Sequence, residues 1–164
     1  MSTIVSGGQT GVDRAALDAA IAAGVPYRGW CPKDGWAEDC PDPPGVRACY
    51  PGLQETPESS PDQRTDWNVR DADVLMALVD GRGVAASRGT ARALAHAQEA
   101  GKPHIVIDLE AADALRLAQD FLRSRTGQAV CIAGPRESEV SGIYAEAREF
   151  LVVLLCDGPT GNDG

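Results

Sequence analysis

The sequence predicts a single α/β domain built on a doubly wound, mainly parallel sheet. Short apolar segments alternate with segments of helical periodicity, and glycines and prolines gather between them. With 164 residues, 43% of them hydrophobic and 24% charged, the chain has the size and composition of one globular unit.

Residues 3–6 are a short apolar strand running into Gly7-Gly8. Residues 12–23 repeat Val12, Ala16, Ala19, Ala20 and Ala23 at helical spacing, and Gly24 closes that helix. Residues 25–31 read as a second strand that ends at Pro32. Residues 32–64 hold most of the eleven prolines and little periodicity, the composition of a functional loop or flap. One or two helical turns are expected over 64–72, a buried strand over 74–79, a loop over 80–87 and a helix over 89–100, capped by Gly101. A strand at 104–108, an amphipathic helix at 111–125 and a fifth strand at 129–133 follow. The last helix is expected over about 138–155, although 150–155 would also suit a short strand. The domain thus covers 1–156, and the polar, Gly-rich residues 157–164 read as a flexible tail.

Fifteen Lys and Arg against 24 Asp and Glu give a net charge of −9. That balance repels a phosphate backbone, so nucleic acid is not an expected partner. A small anion held by local backbone dipoles is compatible with it. The longest apolar run, 150–155, is too short to cross a bilayer, so no membrane partner is expected. The N-terminus lacks a basic region followed by an apolar one, and the five cysteines include no CxxC pair. Reduced thiols and a cytoplasmic location are the expectation.

In a doubly wound sheet, ligands sit where the strand-to-helix loops converge. Three of those loops have unusual composition. The first, Ser6-Gly7-Gly8-Gln9-Thr10-Gly11, carries three glycines in five positions and opens directly into a helix. A tight turn capped by Thr10 would need fewer glycines. The spacing matches neither the dinucleotide nor the Walker fingerprint. The second, Ser87-Arg88-Gly89-Thr90, is a hydroxyl-rich helix start, and helix capping by Ser87 explains it equally well. The third, Gly134-Pro135-Arg136-Glu137-Ser138, follows the last strand. There Arg136 can take a phosphate or carboxylate in two-point fashion, or an ion pair with Glu137 or Glu139.

The run from Gly7 to Asp18 resembles the opening of the molybdenum cofactor carrier proteins, the circularly permuted YpsA-like branch of the SLOG superfamily. The resemblance continues through Trp30-Cys31-Pro32-Lys33, Ala37-Glu38-Asp39, Leu53-Gln54-Glu55-Thr56, Arg64-Thr65 and Asn68-Val69-Arg70-Asp71-Ala72-Asp73. It extends to Gly89-Thr90, Gly101-Lys102-Pro103 and Gly134-Pro135-Arg136-Glu137-Ser138, so it spans nearly the whole chain. It implies a three-layer Rossmann-like fold and a non-catalytic carrier of the molybdenum cofactor (molybdopterin), bound through its phosphate by the glycine loops. It also implies a homo-oligomer, dimeric or tetrameric, with molybdoenzymes as partners. The alternative is a protein of the same superfamily that binds a nucleotide or an NAD derivative, as a sensor or a phosphoribohydrolase-like enzyme. Two departures are visible. Arg88 stands where the pattern has the first glycine of Ser-Gly-Gly-Thr, and Ala93 stands where the phosphoribohydrolase signature has its catalytic glutamate.

Several other residues have competing readings. Cys31, Cys40 and Cys49 are nine apart but lack the close pair typical of metal sites. Trp30, Trp36 and Trp67 suit either a ring stack or the core. Arg64, Thr65, Asn68, Asp71 and Asp73 suit either a pocket or a solvated helix. Glu38, Asp39 and Glu55 are the carboxylates that a reaction would draw on. Gly8→Val is expected to block ligand approach while leaving the fold intact.

Overall fold

A computed structural model describes residues 2–157. The expected tail at 157–164 lies, beyond its first residue, outside the described residues. The strands are β1 (Thr3–Val5), β2 (Tyr27–Cys31), β3 (Leu53–Glu55), β4 (Val74–Val79), β5 (His104–Asp108) and β6 (Ala129–Ala133). The helices are α1 (Val12–Ala23), α2 (Pro61–Asp71), α3 (Arg88–Glu99), α4 (Ala114–Arg123) and α5 (Ile143–Cys156). All strands are parallel, in the order β3-β2-β1-β6-β4-β5.

This order places the site. The chain runs outward through β1, β2 and β3, crosses through α2 to β4, continues to β5, and returns as β6 between β1 and β4. β1, β6 and β4 are therefore three adjacent central strands, and the loops at their carboxyl ends are the three singled out above. Alternation across the pleat divides the core into two layers. Ile4, Met76, Leu78, Val130 and Ile132 pack with α1, α4 and α5 on one face. Val5, Leu75, Ala77 and Cys131 pack with Val69 of α2 and with Ala93 and Ala97 of α3 on the other.

The elements differ from expectation in four places. A sixth strand, β3, pairs with β2 at the sheet edge. Helix α2 begins three residues earlier than the turns expected, where the Ser60 hydroxyl accepts the Asp62 N–H (3.2 Å) and Pro61 opens the first turn. α5 begins at Ile143 and keeps 150–155 helical. Residues 32–64 are no free flap. They contain short 3-10 turns at Lys33–Gly35 and Gly45–Ala48 as well as β3, and close a third core of Leu17, Cys31, Ala37, Val46, Tyr50 and Leu53. Asp18 of α1 fastens this segment by accepting the hydroxyls of both Tyr50 and Tyr144.

The negative end of α2 is met by two cations, Arg28, which donates to the Asp71 carbonyl (3.0 Å), and Lys102. Lys102 Nζ donates to the carbonyls of Val69 (2.8 Å), Arg70 (2.6 Å) and Ala72 (2.5 Å). Charge-assisted bonds to the carbonyls of a helix end are worth more than a neutral pair. Lys102→Met is expected to lower unfolding stability by about 1–2 kcal/mol in urea denaturation, with α2 the first helix to lose amide protection.

Candidate functional site

A cavity of about 340 Å³ opens at the carboxyl ends of β1, β6 and β4, between α2 and α3. Its lining includes small residues, Cys131 and Ala133 from β6, Gly134 just after it and Ala93 from α3, which leave the space that larger residues would fill. All three expected loops reach it. Gly7 and Gln9 come from the first, Ser87, Arg88, Gly89 and Thr90 from the second, and Gly134 and Arg136 from the third. The other expected residues do different work. Gly8 (φ 73°) faces the small third core, and a Cβ there would stand 2.9 Å from Leu53 Cδ1. Gly11 (φ 76°) lets the first loop press against the backbone of Pro135, whose carbonyl accepts the Val12 N–H at 3.1 Å. Glu137 accepts the N–H groups of Gly142 (2.5 Å) and Tyr144 (3.0 Å) and so caps the start of α5. Thr10 and Ser138 meet on a carboxylate outside the cavity.

That carboxylate is Glu38. It accepts the hydroxyls of Thr10 and of Ser138 (2.7 Å), while Arg136 stands 3.8 Å away. Burial opposes its ionisation, but the two hydroxyls outweigh that and hold the carboxyl below its usual 4.5. Asp39 forms a two-point pair with Arg14 (2.8 and 2.9 Å), and Glu55 pairs with Arg47 at 3.0 Å. None of these three carboxylates lines the cavity. Thr10, expected among the ligand residues, is not in the lining, and it does not cap α1 either: Gly11 holds that position without a side-chain bond.

The glycine loop and the start of α1 are not an open anion seat, because the protein fills them itself. Asp13, in the first turn of α1, is paired with Arg64 of α2 at 3.0 Å, and both side chains are at most 15% exposed. Burial pushes the Asp13 carboxyl up, against the pull of the Arg64 guanidinium. Gly7 is glycine because a Cβ there would overlap the Arg64 side chain. Burial also pushes the Cys131 thiol up to about 12, so the lining of the cavity carries a neutral sulfur.

Two polar groups in the wall are left bare. Gln9 is 3% exposed, and its Oε1 accepts the N–H groups of Thr10 (3.0 Å) and Glu38 (3.0 Å). Those two donors fix the amide's orientation and send Nε2 the other way, where it has no partner. Thr90 is 1% exposed, and its Oγ1 is likewise unpaired. Ser87 caps α3 by accepting the Thr90 N–H (3.3 Å), as expected, but among the described residues the N–H groups of Arg88 and Gly89 have no acceptor. A buried polar group without a partner costs about 1–3 kcal/mol, so two on residues that line one cavity make it the candidate ligand site.

Of the residues with competing readings, Arg64, Thr65 and Asn68 line the cavity, whereas Asp71 accepts the Trp30 indole N–H (2.7 Å) and Asp73 the Ala129 N–H (2.7 Å). Trp30 and Trp67 pack edge to face at 4.8 Å, and no tryptophan lines the cavity. Cys31 is buried, Cys40 half-buried and Cys49 exposed; among the described residues no cluster of three or more His, Cys, Asp or Glu is arranged for a metal ion. Asp62 and Cys131 are lining residues that the sequence did not single out as site residues, while Asp13 was seen only as part of the first glycine-rich run and Glu139 only as an ion-pair partner for Arg136. Also among the described residues, no helix is long and apolar enough to cross a membrane.

A parallel doubly wound sheet with bare donors at the ends of its central strands is a small-ligand-binding α/β domain. The chain belongs to the circularly permutated YpsA SLOG family, whose model matches residues 4–155. It is similar to the crystal structure of a protein from Syntrophus aciditrophicus SB named "Putative molybdenum carrier protein", with 38% identity and a TM-score of 0.81. That similarity covers 93% of this chain and 94% of the other. No curated protein matches the chain.

The structure reverses the expectation for Gly8→Val. A β-branched residue at φ 73° is strained and drives into Leu53, so the variant is expected to lose about 2–4 kcal/mol in chemical denaturation. Glu38 makes a second, pH-dependent prediction. Its carboxyl ionises more readily folded than unfolded, so its contribution is complete above about pH 4.5 and is lost as pH falls through the lower folded-state value. The stability gap between wild type and Glu38→Gln, read from Tm against pH, is expected to shrink below pH 4.5.

Proposed function

We propose that this protein is a non-catalytic carrier of the molybdenum cofactor, which it holds in the cavity between α2 and α3 by the cofactor's phosphate. The observation that carries this reading is the pair of bare, buried polar groups, Gln9 Nε2 and Thr90 Oγ1, in one cavity. They fit a phosphate-bearing ligand: Thr90 and the free N–H groups of Arg88 and Gly89 lie at the positive end of α3, and Gln9 supplies donors from the facing loop. The cofactor brings its own redox chemistry when bound; the chain's task is to seat the phosphate and keep water from the rest. The similarity to the Syntrophus protein supports the same reading.

Absence of turnover belongs to the proposal for a physical reason. Ala93 lines the cavity where the related hydrolase signature places glutamate. Glu38, Asp39 and Glu55 are bound to hydroxyls or guanidinium groups elsewhere. A homo-oligomer, molybdoenzyme partners and a cytoplasmic setting complete the proposal. The second reading, a nucleotide or NAD-derivative binder, uses the same donors.

Thermal shift against molybdopterin, molybdate, AMP, ADP-ribose, NAD and phosphate separates the two. A ligand at a hundred times its Kd stabilises by roughly 2.7 kcal/mol. Molybdopterin is expected to raise Tm most; a nucleotide raising it while molybdopterin is silent would establish the second reading. Thr90→Val is expected to raise the Tm of the free protein, by about 1 kcal/mol of stability, and to shrink the molybdopterin shift. A fall in the free protein's stability would mean that the hydroxyl serves the fold.

A further inference from the structure

The N-terminus of α3 brings free backbone donors and a bare, buried hydroxyl to one side of the cavity. α3 is twelve residues long, its first two N–H groups are without acceptors, and the buried Thr90 hydroxyl beside them is bare. Arg88 occupies the first position of that helix. Its side chain is 86% exposed, and its nearest carboxylate, Asp62 across the mouth of the cavity, stands at 3.4 Å. By contrast Arg64 is held by Asp13 at 3.0 Å inside the wall, and Arg136, on the opposite side, stands 3.8 Å from Glu38. The lining carboxylates Asp13, Asp62 and Glu139 equal the lining arginines Arg64, Arg88 and Arg136 in number, and Asp62 has a second partner in Arg92 at 3.5 Å, which leaves Arg88 available to a ligand.

From this we infer that the α3 end of the cavity selects a phosphomonoester over a phosphodiester, and that Arg88 is the residue that makes the selection. A monoester near pH 8 is a dianion with three terminal oxygens, since its second ionisation falls near pH 6. Two N–H groups, the Thr90 hydroxyl and the Gln9 amide can serve three oxygens, and the Arg88 guanidinium balances the second charge. A diester offers two terminal oxygens and one charge, so it leaves a donor unserved and the Arg88 charge without its partner. The volume agrees: 340 Å³ is at the small end of ligand cavities, the size for a single phosphorylated ring system and too small for a dinucleotide. The inference rests on the carrier reading only in taking the same cavity as the ligand site.

Methyl phosphate and dimethyl phosphate, titrated at pH 8 into the labelled full chain, test it by amide NMR. Methyl phosphate is expected to shift the Gly89 and Thr90 amides with an affinity at least tenfold above that of dimethyl phosphate. Arg88→Ala is expected to bring the two affinities within about threefold, and Arg88→Lys to keep part of the preference. Equal binding of the two esters by wild type, or a preference unchanged in Arg88→Ala, overturns the inference. Molybdopterin run alongside keeps the two claims apart. If it binds while both phosphates leave the α3 amides unmoved, the selection is refuted and the carrier stands. If the monoester is selected but molybdopterin does not bind, the selection stands and the carrier reading falls.

Discussion

The arrangement depends on one side-chain carbonyl, Gln9 Oε1. It accepts two backbone N–H groups, one from its own loop at Thr10 and one from Glu38, 29 residues along. The second bond brings the Glu38 carboxylate to the hydroxyls of Thr10 and Ser138, so residues from the first loop, the long segment and the third loop are tied at one point. With its oxygen committed, the Gln9 amide can only turn its nitrogen away from these partners, and there it meets nothing. A fold does not hold a buried donor bare without a reason; the free energy lost in the empty protein is recovered when a ligand supplies the acceptor.

The same wiring also decides where charge sits. Carboxylates that would suit acid–base chemistry are drawn into bonds that hold loops together, and Asp13, the one deep in the cavity wall, is neutralised by Arg64. What lines the ligand space is a set of donors, a neutral thiol, small apolar side chains and three carboxylates, Asp13, Asp62 and Glu139, set among three arginines. Such a lining orients and shields.

Much of the fold was legible because strand and helix periods are written in apolar residues: β4 has six buried residues in a row and could hardly be missed. β3 was not legible, since only Leu53 of its three residues is buried and the strand exists by pairing with β2. α2 was seen only in part, because its buried positions are Arg64, Asn68 and Val69, two of them polar, and its start is set by the Ser60 cap inside a proline-rich stretch. The three loops were found through their glycines and hydroxyls together with the rule that ligands sit at strand carboxyl ends. Which glycine faced ligand and which faced core was not legible: Gly8 and Gly7 are adjacent, yet one meets Leu53 and the other Arg64. The Asp13–Arg64 pair joins residues 51 apart, and Cys131 reaches the cavity only because β6 returns between β1 and β4. Both follow from topology, which no local pattern encodes.

The most direct test of the account is a crystal structure of the protein loaded with molybdopterin. Gln9 Nε2 and Thr90 Oγ1 should each lie within about 2.7–3.2 Å of a ligand oxygen, with the phosphate at the first turn of α3. A ligand bound elsewhere, with both atoms still bare, would contradict it.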